Sequence, residues 1–297
     1  MRANTPFLVS SHSQPKFINN DNSSIVFRFE SIFVDRLAAT GNAQMSLLRS
    51  LPFCLSQPGP QKVDGVGNFF LQILDSSPSE QPLSTLYMLD SHGILSHTAP
   101  ILGYAWINQT QIDWFTSTSQ RLRKERKEKH QSKGPHIALA FQHIPIPEFG
   151  DKDLDIRGGY RGEPTEGPKF NSHYYDALAR EGVAALACGH DHVNDFCAMK
   201  PSKDGSGIGP WLCHAGGAGF GGYMQYGEDR YHRRMRVWEL DGNDGSLRTW
   251  KRLEYNKEKV DEMVLVEGGA IVGPKDSAQT GHPAMRAVRL EWCGRIQ

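Results

Sequence analysis

Long apolar runs are absent: no window of the 297-residue chain approaches the roughly 18 consecutive apolar residues that a membrane-spanning helix needs. A membrane is therefore not expected as a partner. An excess of charge of either sign is missing too, because Lys plus Arg and Asp plus Glu each number 33 and the formal net charge is zero. No global field draws such a chain to nucleic acid, so recognition has to be local and no nucleic acid is expected. The five cysteines (Cys54, Cys188, Cys197, Cys213 and Cys293) form no C-x-x-C pair, and their odd number excludes complete pairing within one chain. The opening stretch lacks the basic start and continuous apolar core of a secretory signal. Both absences make a reducing compartment, cytoplasmic or otherwise intracellular, the simpler expectation. No repeat and no G-x-G-x-x-G fingerprint occurs, although Gly216–Gly222 is glycine-rich.

What is present is the composition of a globular protein, 38% hydrophobic and 22% charged, long enough to bury a substantial core. The apolar spacing predicts a helix over Leu37–Leu51, ended by Pro52, and short strands over Asn68–Leu74 and Thr85–Leu89. A second helix is expected over Thr110–His130, with Ile112, Phe115 and Leu122 facing a core and its basic end, Arg121–Lys129, solvated. The run His136–Phe141 reads as a strand, Gly150–Pro168 as a long surface loop, and Asn171–Arg180 as a helix capped by Asn171 or Ser172. Val183–Cys188 is a further buried strand. Hairpin strands over Trp211–Ala215, Met235–Leu240 and Ser246–Leu253, with a turn at Asp241–Gly245, and a last strand near Ala287–Trp292 complete the pattern. Strands alternating with helices predict an α/β sheet covered on both faces, with its site at strand ends.

Two such ends carry histidine. His143 follows one predicted strand, and His190 and His192 follow another. If the chain leaves the second strand extended, residues two apart project to one side, and both imidazoles can serve one metal centre. The competing reading is a pair of surface histidines in a loop. Near them, His214 reads as a packed core residue, Asn194 and Asp195 as caps of the following turn, and Glu148 and Asp191 as supporting groups or ion-pair partners.

The ordered set Leu86-Tyr87-Met88-Leu89-Asp90-Ser91-His92, Gln111-Ile112-Asp113-Trp114-Phe115, Phe141-Gln142-His143-Ile144-Pro145 and Gly189-His190-Asp191-His192 resembles the calcineurin-like metallophosphoesterases. Within them it is most similar to the purple-acid-phosphatase-like branch, which the Arg161–Glu166 stretch and the glycine-rich Ala215–Gly222 also resemble. The likeness runs over residues 45–267, with an irregular segment 1–44 before it and an unassigned tail 268–297 after it. The resemblance implies a four-layer α/β/β/α sandwich and hydrolysis of a small phosphate ester or phosphoprotein. It also implies two transition metals (Fe, Zn or Mn), with His143 and His190 on one ion and His192 on the other.

The family's earlier segments, Asp-x-His, Gly-Asp-x-x-Asp and Gly-Asn-His followed by an acid, do not occur here; Gly41-Asn42 leads to Ala43-Gln44 instead. Asp35, Asp64, Asp75 and Asp90 read as ordinary turn residues, and no catalytic acid can be named. The expectation is a partial sandwich lacking its first strand–helix units, in a truncated or mis-spliced chain. Its function is then either an impaired two-metal phosphoric-ester hydrolase or a catalytically silent relative with a residual mononuclear histidine site, acting as a binding protein. Nucleotide binding by Gly216–Gly222 is a weaker third reading.

Overall fold

The computed structural model describes residues 24–28, 41–52, 54–75, 81–95, 98–130, 134–201, 208–220, 222–275 and 279–280. Asp35, Cys293, the start of the expected Leu37–Leu51 helix and the strand expected near Ala287–Trp292 lie outside them. Elements are numbered in chain order. A seven-stranded sheet contains β2 (Phe69–Leu74), β3 (Pro82–Met88), β4 (Ile137–Phe141), β5 (Asp155–Arg157), β6 (Val183–Cys188), β7 (Cys197–Met199) and β8 (Trp211–His214). Its order is β2-β3-β4-β6-β8-β7-β5; the central β3, β4, β6 and β8 are parallel and the outer strands antiparallel. The second sheet is built from β1 (Ser24–Arg28), β11 (Arg234–Asp241), β12 (Ser246–Leu253), β13 (Asn256–Glu267), β14 (Ala270–Ile271) and β15 (Gln279–Thr280). Strands β9 (Gln225–Tyr226) and β10 (Asp229–Arg230) form a small separate hairpin. The helices are α1 (Gly41–Ser50), α2 (Gln109–His130) and α3 (Tyr174–Arg180).

Side-chain alternation along the central strands assembles the layers. Leu86, Met88, Leu139, Phe141, Ala185 and Ala187 point one way, into a core shared with Trp238, Leu240, Leu247, Met263 and Leu265 of the second sheet. Tyr87, Ala138, Ala140, Leu186 and Leu212 point the other way, against Ile112, Phe115 and Leu122 of α2 and Tyr174 and Leu178 of α3. The result is three layers of an α/β/β/α sandwich, a mixed α/β fold of metallophosphoesterase type without its first strand–helix units among the described residues.

Three local expectations change. Helix α3 starts at Tyr174, because Asn171 Oδ1 accepts the His173 N–H at 2.8 Å and His173 takes a left-handed φ of 61°. The Gly150–Pro168 segment is not wholly loop, since Asp155–Arg157 pairs with β7. Cys197 and Cys213, sixteen residues apart, are register partners on β7 and β8 and are joined by a disulfide. Five cysteines exclude complete pairing but not one bridge. The basic end of α2 behaves as expected: Arg121 pairs with Glu125 on its own helix, and Arg123 reaches Glu181 at 2.8 Å.

Charge is also buried between the sheets, which the hairpin pattern does not announce. Asp195, Arg236 and Lys251 are 0% exposed and Arg234 4%. Asp195 Oδ2 lies 2.6 Å from Arg234 Nε and 2.9 Å from Lys251 Nζ, and Lys251 also meets Asp261. Arg236 donates to the carbonyls of His214 at 2.9 Å and Asp195 at 2.6 Å. Breaking such a pair strands a buried charge. Lys251→Met is therefore expected to lower the unfolding free energy by about 3–5 kcal/mol, read from urea denaturation.

His136, at the start of β4, touches Thr85 Oγ1 at 3.0 Å, and burial with help from Arg126 and Arg123 pushes its pKa down to about 4. The unfolded value is about 6.5, so the unfolded chain takes up the proton first on acidification. This stability is fully present above the unfolded value and is lost as pH falls toward about 4. His136→Gln is expected to shrink the drop in urea midpoint between about pH 7 and about pH 5; an unchanged drop would contradict the assignment.

Candidate metal centre

Parallel pairing of β4 with β6 sets Phe141 opposite Ala187, and the ladder continues past both strands. Gln142 N donates to Ala187 O and Gly189 N to His143 O, each at 3.0 Å. The two strand ends therefore carry His143 and His190 side by side. Their rings meet edge to face at 5.2 Å, with His190 Nδ1 3.4 Å from His143 Nε2. His143 is 5% exposed. Burial first, then the neighbouring His190 and His192, push its pKa down to about 3, so it is a neutral nitrogen donor at neutral pH.

The chain does not leave β6 extended. His190 has φ 69°, and Asp191 N returns to Gly189 O at 2.9 Å, making a left-handed γ-turn centred on His190. A non-glycine residue there costs on the order of 1–3 kcal/mol. The turn separates the two imidazoles that an extended chain would project together. His190 faces His143 and the edge of Tyr104, at 4.8 Å, whereas His192 stacks on Tyr223, with centroids 4.4 Å apart and planes 13° from parallel. Beside His190, Tyr104, Thr165, Glu166 and Lys169 line a groove of about 450 Å³.

The carboxylate between the two histidines points elsewhere. Asp191 is 1% exposed and accepts from Glu166 N at 3.2 Å and Asn194 Nδ2 at 3.2 Å. Burial pushes its pKa up to about 8. His214 Nε2 lies 3.8 Å from Asp191, but burial holds His214 neutral, with a pKa near about 3, so the contact is not an ion pair. His214 is the packed residue expected, set against Phe149 and Phe196. Asp64 and Asp90 hold turns: Asp90 accepts from Val66 N and His92 N, and Asp64 from Thr110. Asn42 is exposed on α1. Glu148 accepts from Asn171 at 2.7 Å.

Asn194 and Asp195 do more than cap a local turn. Asn194 Oδ1 accepts from Gly162 N at 2.9 Å and Glu163 N at 3.0 Å, and Asp195 Oδ1 from Tyr160 N at 3.1 Å. They clamp the 160–163 segment onto the histidine loop. The glycine-rich loop closes the other side: a Cβ at Gly217 would stand 2.9 Å from His192 Cβ, and one at Gly222 would stand 2.2 Å from its ring. That explains glycine there better than nucleotide binding does.

Two imidazole nitrogens 3.4 Å apart match neighbouring corners of one tetrahedral ion. Among the described residues no group of three or more His, Cys, Asp or Glu side chains converges as a metal site.

No family model matches the chain. Individual relatives do. It is 37% identical to "Probable inactive purple acid phosphatase 29" of Arabidopsis thaliana, over 76% of this chain and 60% of that protein. It is 33% identical to "Phosphatase DCR2" of Saccharomyces cerevisiae, over 76% of this chain and 39% of that protein. "Probable inactive purple acid phosphatase 14" of Arabidopsis thaliana matches at 35% over 76% of this chain and 59% of its own length. The chain thus spans between 39% and 60% of these relatives. No described helix is long and apolar enough to cross a membrane.

Asn194 is the clearest test of how the loop is built. Asn194→Ala leaves the buried Glu163 amide and the half-buried Gly162 amide without their acceptor, at about 1–3 kcal/mol for the buried one. The Gly162 and Glu163 amides are expected to exchange with solvent much faster in the variant, measured by hydrogen exchange.

Proposed function

The chain belongs to the calcineurin-like metallophosphoesterases, in their purple-acid-phosphatase-like branch, and we propose that it is a catalytically silent member that binds one transition metal. His143 Nε2 and His190 Nδ1 would hold the ion, and His192 stands beside them as a third imidazole. The observation that carries this reading is the 3.4 Å approach of those two nitrogens with the intervening Asp191 carboxyl turned away into Glu166 and Asn194. Bound there, Zn, Mn or Fe supplies a Lewis-acid contact for an anionic oxygen. The chain's own residues orient the two imidazoles, and burial keeps His143 neutral. Among the described residues none offers a carboxylate to bridge a second ion or a placed acid for a leaving group. What remains is capture of a small phosphate ester or a phosphorylated protein at the groove beside His190. The words "probable inactive" in the names of two relatives agree with this reading.

A second reading, a two-metal phosphoric-ester hydrolase, has the yeast relative named a phosphatase in its favour. Elemental analysis and turnover of an aryl phosphate separate the two. The silent reading expects about one ion per chain after loading with Zn or Mn, loss of that ion in His190→Ala, and no turnover above background. Two tightly held ions, or turnover abolished by His190→Ala, would establish the hydrolase instead.

A further inference from the structure

His192 is gripped more closely than a loop histidine requires, and the grip is made by Glu163, from the Arg161–Glu166 stretch, and Tyr223, just past the glycine-rich loop. The Tyr223 hydroxyl donates to the Glu163 carboxylate, 2.9 Å from each oxygen. Glu163 is 8% exposed and its Oε1 also accepts the Val193 N–H at 3.0 Å, so one buried carboxylate ties Tyr223 to the residue after His192. The Tyr223 hydroxyl oxygen accepts the His192 N–H at 3.3 Å, and its ring lies flat against the imidazole at 4.4 Å. Its backbone carbonyl stands 3.0 Å from His192 Nδ1.

A carbonyl oxygen only accepts, so the nitrogen facing it must carry the proton. We propose that the Glu163–Tyr223 pair is a positioning device that locks His192 as the Nδ1–H tautomer and presents Nε2, with its lone pair, on the open side. Which imidazole nitrogen can ligate is set by the hydrogen bond the other one makes. Glycine at 222 belongs to the same device, because a Cβ there would stand 2.2 Å from Cε1 and 2.5 Å from Nδ1 and push the ring away from the Tyr223 carbonyl. The inference rests on the histidine-site reading for its purpose, but not for its test.

The test is long-range proton–nitrogen correlation NMR of the metal-free protein at about pH 8, where free imidazoles are neutral. Wild-type His192 is expected as a single Nδ1–H tautomer. Tyr223→Leu, which removes both ring and hydroxyl, is expected to give a mixture. Tyr223→Phe keeps the stack and should fall between them, guarding against a variant that only misfolds. Zn affinity is then expected to drop about 10- to 100-fold in Tyr223→Leu. An Nε2–H tautomer in the wild type, or a Tyr223→Leu protein as homogeneous as the wild type, overturns the proposal. A protein with the expected tautomer that binds no Zn overturns the metal reading and leaves the positioning device standing.

Discussion

Asp195 is the constraint on which the histidine loop depends. A carboxylate with no exposure is stable in the interior only if cations meet it, and Arg234 and Lys251 do so from two strands of the second sheet. Their charges, against the opposing effect of burial, hold Asp195 below the ordinary carboxylate range. Because Asp195 follows His190 by five residues, anchoring it fixes where the loop ends, while β6 fixes where it starts. The γ-turn at His190 is strained, and a short segment held at both ends can maintain such strain. Arg236 adds a third fastening by gripping the peptide carbonyls of Asp195 and His214.

On the reading proposed above, the same rigidity separates holding a metal from using one. The two strand ends bring His143 Nε2 and His190 Nδ1 to 3.4 Å, and burial keeps His143 neutral. The acidic residues around the loop serve the scaffold: Asp191 receives Glu166 and Asn194, Glu163 receives Val193 and Tyr223, and Asp195 receives Arg234 and Lys251. Carboxylates spent on loop geometry cannot also neutralise and bridge a pair of cations. Membership of a phosphatase family and the silent single-ion site proposed above are therefore compatible in one chain.

Most of the framework was legible in the sequence where burial and pattern coincide. Val183–Cys188 and Ser246–Leu253 form strands over the expected residues, because short apolar runs bounded by turns have few alternatives. The histidine positions at adjoining strand ends were legible for the same reason. The direction of His192 was not, since a left-handed φ at His190 follows from anchoring rather than from local preference. Strand β13 was missed because its first third, Asn256–Lys259, is polar and largely exposed and mimics a loop. Lys251 and Arg236 lie within the expected hairpin strands, but their burial was not legible, because it depends on Asp195, remote in sequence. Tyr223 and Glu163 left only a faint signal, a glutamate in the Arg161–Glu166 stretch and an aromatic residue closing the glycine loop.

X-ray absorption spectroscopy of the zinc-loaded chain tests the central claim most directly, because it reads the ligands and neighbours of the ion together. A single-ion histidine site predicts a shell with imidazole nitrogens at about 2.0–2.1 Å, completed by light solvent atoms, with no metal neighbour. A metal–metal distance of about 3.5–4 Å would contradict it and restore a dinuclear centre.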